Sequence, residues 1–393
     1  MIYKVYSSIS EIATSWDQFL PDGHHLKSLN LRVIEDSKPG DVSFRYLIFY
    51  DVNQVPVAVV YFQWLLFQRK HYDSPFAAHW LFGKLEKLVM RKGYHILVCG
   101  NLLRIDFPGM YFDTRKATAS ALFTLLEKFY RELKPYPHAI LIKDWNKYHE
   151  TGWVEKGNYH FWGTDVTMKM DLPSSWTTFD DYVGALRHRY SQRIRKARKQ
   201  FNPVTRKELS LEEIEARGDE LENLYNNVVI KQTIRMMPVR LEYFVQMKRN
   251  YGSSFRMFAY YLDERMVAFS SNILYSDLWE LHYIGLDYAA NERHWLYFNI
   301  LFDSIADALQ AGKKELELGR TARDAKASLG AYPVSFRNYV RVKGFIPQKI
   351  VQSLGKYFEK KAGFEWENRK PFKVQENVEA VLNPTFQKRD AIG

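Results

Sequence analysis

Leu278-Trp279-Glu280-Leu281-His282-Tyr283-Ile284-Gly285-Leu286 is the stretch whose reading decides the fold. Its apolar and polar residues alternate, as on a half-buried strand. A short polar crossing follows. Residues 297–310 then read as a helix, residues 315–318 (Glu-Leu-Glu-Leu) as a second strand, and Gly319-Arg320-Thr321 as the exit from it. Strand, helix and parallel strand leave free backbone N–H groups beside a sheet edge, a place suited to holding an acyl or phosphoryl donor. The active centre is expected here.

Working outward, residues 44–67 read as a hairpin turned at residues 51–54, and residues 255–269 repeat it with a turn at Asp263-Glu264-Arg265. Residues 94–99 form a strand, 117–133 a helix with Leu122, Leu126, Phe129 and Leu133 on one face, and 138–142 another strand. The same five elements thus occur twice in the same order. The prediction is an α/β protein with mixed sheets, built as two tandem copies of one unit. Residues 1–172 make the first copy, 173–350 the second, and 351–393 a basic tail, with the boundary marked by Pro173-Ser174-Ser175.

The second copy opens with a helix read over residues 179–201. Tyr182, Leu186, Tyr190, Ile194, Ala197 and Phe201 form its apolar stripe, and Arg187, Arg189, Arg193, Arg195, Lys196, Arg198 and Lys199 fill the other faces. Three readings stay open for these cations: tRNA phosphates, an anionic membrane surface, or a solvated face over a packed stripe.

The 393 residues are 46% hydrophobic, enough for a sizeable core, and 56 Lys and Arg against 45 Asp and Glu give a charge of +11. Acidic partners are favoured by that balance. The single cysteine, Cys99, lies in an apolar run and excludes a disulfide framework. No export signal is read in Met1-Ile2-Tyr3-Lys4, and the longest apolar run, residues 57–67, is too short to span a bilayer, so a cytoplasmic location is expected. His24 and His25 lack a carboxylate or cysteine at ligand spacing and read as solvated loop histidines; no metal is expected.

Tyr283-Ile284-Gly285-Leu286-Asp287, Tyr297-Phe298-Asn299-Ile300-Leu301, Gly319-Arg320-Thr321 and Lys326-Ala327-Ser328-Leu329-Gly330-Ala331 resemble the GNAT acyltransferase fold. Over residues 5–350 the chain is similar to the FemAB-like branch, with its two GNAT units, and to bacterial proteins of peptidoglycan biosynthesis or recognition. The resemblance implies transfer of an acyl or aminoacyl group to an amine, a cell-wall precursor being one candidate acceptor. Acyl-coenzyme A or aminoacyl-tRNA is the implied co-substrate, with no cofactor bound permanently. It also implies roles: N–H groups of strand 283–287 toward the oxyanion, with Gly285 allowing close approach. Asp287 or Glu280 takes the amine proton, and Tyr283 or Tyr297 protonates the leaving group. Donor-binding candidates are Arg293, Asn299, Arg320, Thr321 and Lys326; the anionic-partner candidates are Arg187, Arg189, Arg193, Arg195 and Lys196.

One departure bears on the donor. Where coenzyme A-dependent GNAT enzymes place a glycine-rich turn, this chain has Asn291-Glu292-Arg293-His294-Trp295-Leu296. A non-catalytic recognition protein is therefore the alternative. The first copy is expected to be structural or acceptor-binding.

Overall fold

The computed structural model describes residues 1–73, 84, 90–145, 152–232, 234–344, 349 and 369–373. In chain order the strands are β1 (Ile2–Tyr6), β2 (Val42–Tyr50), β3 (Pro56–Phe67), β4 (Tyr94–Cys99), β5 (Met110–Phe112), β6 (Ala139–Ile142), β7 (His160–Asp171), β8 (Val204–Glu208), β9 (Phe255–Leu262), β10 (Arg265–Leu274), β11 (Leu278–Leu286), β12 (Glu315–Glu317) and β13 (Tyr332–Val342). The α-helices are α1 (Ala13–Phe19), α2 (Ser28–Asp36), α3 (Ala119–Glu132), α4 (Gly152–Lys156), α5 (Phe179–Ala185), α6 (His188–Phe201), α7 (Leu211–Ala216), α8 (Gly218–Val229), α9 (Leu241–Tyr251), α10 (Tyr288–His294), α11 (Leu296–Gln310) and α12 (Arg323–Ala327). The α/β class expected from the sequence is the class observed.

By contacts the chain groups into two units. One holds Met1–Asp165, Val229–Asn250 and Ser335–Gly363; the other holds Val166–Val228, Tyr251–Val334 and Phe364–Gly393. This grouping is interleaved, whereas the sequence is read as three contiguous segments, 1–172, 173–350 and 351–393. The tail expected over 351–393 lies outside the described residues except for 369–373.

In the first unit the strands run in the order β1-β2-β3-β4-β6-β13, with β5 on β3. β4 and β6 are parallel, and β13 closes the sheet antiparallel to β6. Asp51 builds the β2–β3 turn: its Oδ1 accepts N–H groups from Asn53 (2.8 Å) and Val55 (2.9 Å). Thr118 caps α3, whose Leu122, Leu126 and Phe129 are buried against Phe62, Leu97 and Cys99. Cys99 is a core residue, and burial pushes its thiol up. His24 and His25 are not solvated loop histidines. His24 is buried and stacked on His25 at 4.2 Å, and His25 Nε2 lies 2.9 Å from the Pro108 carbonyl oxygen, because the loop is folded down onto Phe107 and Tyr111.

The second unit repeats the pattern as β8-β9-β10-β11-β12-β7, with β11 parallel to β12 and β7 closing antiparallel to β12. α11 buries Leu296, Ile300, Leu301, Ile305 and Ala308 in one core with Trp279, Leu281, Leu286, Leu316 and Leu318. The single helix expected over 179–201 is two helices. The chain is extended at Leu186 and Arg187, where it bridges to Phe372, and of the expected stripe Tyr182, Leu186, Tyr190, Ile194 and Ala197 are buried while Phe201 is half-buried. No described helix is long and apolar enough to cross a membrane.

Candidate active site

β11 and β12 pair over only three residues, ending at Glu280 opposite Glu317. β11 then runs on to Leu286 without β12 beside it. Between Leu281 and Tyr283 its register against β10 slips: Asn272 faces Leu281 and Ser271 faces Tyr283, so His282 is the extra residue of a bulge. Ser271 Oγ accepts the Tyr283 N–H at 3.0 Å and so satisfies the slipped ladder.

Trp279 and Leu281 pack into the α11 core, which leaves Glu280 and His282 on the opposite face. There His282 Nδ1 lies 2.8 Å from Glu280 Oε1, and the Tyr275 hydroxyl donates to Glu280 Oε2 at 3.2 Å. With a carboxylate at Nδ1, that nitrogen carries a proton directed at Glu280. The His282 ring meets Tyr283 edge-on at 4.5 Å, and Tyr283 meets Tyr225 of α8 at 5.6 Å. On the neighbouring strand Glu317 accepts from Thr167 Oγ1 at 2.8 Å, with Lys169 Nζ at 3.9 Å.

Lys326 closes the group. It is 2% exposed, and its Nζ donates to the Gly319 carbonyl oxygen at 3.1 Å. Gly319 has φ +74°, and the site of a Cβ there would stand 3.9 Å from both Lys326 Nζ and the Leu281 carbonyl oxygen. Gly319 thus has the amine and β11 both close by, just where the strands part. Burial lowers the Lys326 pKa to about 7, opposed by the charge of Glu317 and reinforced by that of Arg323. The arrangement sets a histidine backed by a carboxylate, a lysine that changes charge near neutrality, and an uncoupled strand edge on one sheet.

Residues 186–327 match the acetyltransferase (GNAT) domain family. The chain carries a GNAT acetyltransferase domain. Such a domain is an acyltransferase that works with an acyl-coenzyme A co-substrate and an amine acceptor. The whole chain is similar to the crystal structure of FemX, at 11% identity and TM-score 0.50, covering 90% of this chain and 100% of that one. It is also similar to a tandem GNAT protein from the clavulanic acid biosynthesis pathway, at 8% identity and TM-score 0.50, covering 88% and 99%. At these identities the likeness is one of fold, the tandem GNAT fold. No curated protein sequence matches the chain.

The other sequence-derived candidates all lie within residues 186–327. Gly285 lies on β11 beneath α8: a Cβ there would stand 2.2 Å from the Phe269 ring and 2.9 Å from the Leu224 backbone. Asp287 caps α10, its Oδ1 accepting from Ala289 (2.9 Å) and Ala290 (3.1 Å) while Arg265 donates to Oδ2 at 2.5 Å. Both of its carboxylate oxygens are engaged.

The crossing expected as a short polar link contains the helix α10 and Trp295 at φ +54°. Asn291 Oδ1 takes the Tyr297 N–H at 2.8 Å, so one of the free N–H groups at the start of α11 is satisfied by the chain itself. The Tyr297 hydroxyl is buried without a hydrogen-bond partner among the described residues, and burial pushes its pKa up. Asn299 is buried and spends its amide on Ala197 (3.3 Å), Trp295 (3.0 Å) and Arg198 (3.3 Å). Arg293, Arg320 and Thr321 are exposed.

On the basic helix, Arg187 Nε donates to the Phe372 carbonyl at 2.8 Å, and Arg198 pairs with buried Asp303 at 2.6 Å. Arg189 lies over Tyr190 at 4.7 Å and Arg193 over Phe298 at 4.5 Å. Both are exposed, as are Arg195, Lys196 and Lys199.

His282 and the burial of Lys326 were the features least visible beforehand. The alternation around Glu280 pointed to their shared face, but nothing in it marks a bulge.

Proposed function

We propose that the second unit joins an acyl or aminoacyl group to an amine where β11 and β12 part. The observation that carries this reading is the Glu280–His282 pair opposite Glu317, whose charge acts on the buried Lys326, where β11 runs on past its pairing with β12. The amine nitrogen attacks the donor's carbonyl carbon, and His282 Nε2 takes the proton the nitrogen sheds, with Glu280 stabilising the imidazolium. Lys326, as ammonium, holds the charge that develops on the carbonyl oxygen. The bond to the thiol or ribose oxygen then breaks, and the Tyr283 hydroxyl returns a proton to the leaving group. Asp287 serves as a cap in this reading, with Glu280 and His282 in the role of base.

For the donor we propose aminoacyl-tRNA, a departure from the acyl-coenzyme A that GNAT domains use. The N–H groups that would wrap a pyrophosphate at α11 meet a bulky crossing and an internal cap, whereas α6 exposes Arg189, Arg193, Arg195, Lys196 and Lys199 along one helix. The acceptor is an amine, with a cell-wall precursor the reading that the FemAB-like resemblance suggests; the first unit then binds acceptor or supports the fold. The capped α11 also favours a second reading, a recognition protein without turnover.

Titration with acyl-coenzyme A and with mixed aminoacyl-tRNA at two salt concentrations separates these readings. Aminoacyl-tRNA binding that weakens steeply with salt, together with amine-dependent deacylation, supports the proposal. Binding of a thioester alone selects coenzyme A. Saturable binding of a precursor with no consumption of either donor selects the recognition protein.

A further inference from the structure

The turn that presents Lys326 is gripped by a segment far along the chain. The Lys326 carbonyl accepts N–H groups from Leu329 (2.9 Å) and Ala331 (3.2 Å), closing the turn after α12, and the Tyr182 hydroxyl donates to the Leu329 carbonyl at 3.0 Å. Gly330 sits in this turn at φ +101°, and a Cβ there would stand 2.2 Å from the Phe372 ring. That ring is also 5.4 Å from Trp176 and 6.3 Å from Tyr182. Arg369 reaches the other end of α12, its Nε and Nη2 donating to the two Asp324 carboxylate oxygens at 2.9 and 3.0 Å. Residues 371–373 are themselves tied down. Arg187 donates its N–H to the Pro371 carbonyl and its Nε to the Phe372 carbonyl, both at 2.8 Å, and Lys373 N–H donates to the Ala185 carbonyl at 2.9 Å.

We propose that residues 369–373 are a clasp that fixes the Lys326 turn, with Phe372 and Arg369 as positioning residues for the Lys326 amine. Phe372 fills the space above a glycine that admits no side chain, and Arg369 pins the first turn of α12. The break between α5 and α6 thereby gains a purpose: an uninterrupted helix could not offer Arg187 and Ala185 as an edge for the clasp. The proposal rests on reading Lys326 as part of the active site for its catalytic consequence, but the grip itself is independent of turnover.

The test is limited acetylation of the native full-length chain with acetic anhydride, reading Lys326 by peptide mass spectrometry. Phe372→Ala and Arg369→Gln are compared with wild type after folding is checked by circular dichroism. The expected result is Lys326 labelling about tenfold faster in Phe372→Ala, as a local opening becomes easier, with a smaller rise in Arg369→Gln. Labelling at the wild-type rate in the folded variants overturns the clasp; should Phe372→Ala not fold, Arg369→Gln alone decides. In turnover, Phe372→Ala lowers kcat with the donor KM held within about twofold, and Phe372→Leu restores most of the loss. Loss of activity in Lys326→Met with labelling unaffected by the clasp variants would keep the site and remove the clasp.

Discussion

Glu280 and Glu317 stand opposite each other as the last register pair of β11 and β12, both nearly buried, yet each is held by its own donors. Tyr275 and His282 serve Glu280; Thr167 and Lys169 serve Glu317. Two buried carboxylates side by side are tolerated only with such compensation. The strands separate at the point where this polar group begins, and Lys326 enters beside it.

His282→Ala is expected to lower kcat/KM by about 10²- to 10⁴-fold, the usual worth of a positioned general base. Glu280→Gln lowers it less, because the imidazole remains but loses the carboxylate that orients it. Steady-state kinetics with whichever donor wild type consumes checks this; unchanged turnover in both variants would contradict it.

Lys326 links stability to pH with a definite sign. Its pKa is lowered from 10.5 to about 7 in the folded chain. Between those values the unfolded chain binds a proton that the folded chain does not, so stability rises with pH across that window and is lowest below it. Urea unfolding of wild type against Lys326→Met should show this rise, on the order of a few kcal/mol, in wild type only. Activity should fall as pH rises through about 7, where the folded chain loses the ammonium, and Lys326→Arg should remove that fall.

Asp287→Ala should cost about 1 kcal/mol, the loss of a helix cap, and leave turnover in place. Denaturant unfolding and initial rates measured together distinguish the cap from a catalytic base. Lost turnover at full stability would return Asp287 to the proton-accepting role.

Gly285→Ala meets the Phe269 ring and the Leu224 backbone, and overpacking there should destabilise the second unit by about 1–3 kcal/mol. Pairing it with Phe269→Leu should recover part of the loss, because the ring is the nearer obstacle.

Much of the fold was legible because its periodicities are local. The strand read at 278–286 is the observed β11, and the helix read at 297–310 differs from α11 by one residue. The repeat of hairpin, strand, helix and strand followed from the same patterns. What sequence could not show depends on distant partners. β13 joins the sheet of the first unit and β7 the sheet of the second, and no periodicity in either strand names its neighbour. Asp287 and Glu280 look alike as acids near the end of a strand; only the caps at Ala289 and Ala290 and the bulge at His282 separate them. Lys326 stands in the sequence as a donor-binding candidate, but its burial depends on Gly319 and the turn at Gly330, which enclose it. The bulky crossing at 291–296 was visible in the residues, but its cap by Asn291 was not.

The most direct measurement is donor consumption by wild type, His282→Ala and Lys326→Met, using acyl-coenzyme A and mixed aminoacyl-tRNA with and without an added amine. Release of free thiol or deacylated tRNA that requires the amine and is lost in both variants is the predicted result. Consumption that persists in both variants, or no consumption of either donor by wild type, would contradict the placement of acyl transfer at the parting of β11 and β12.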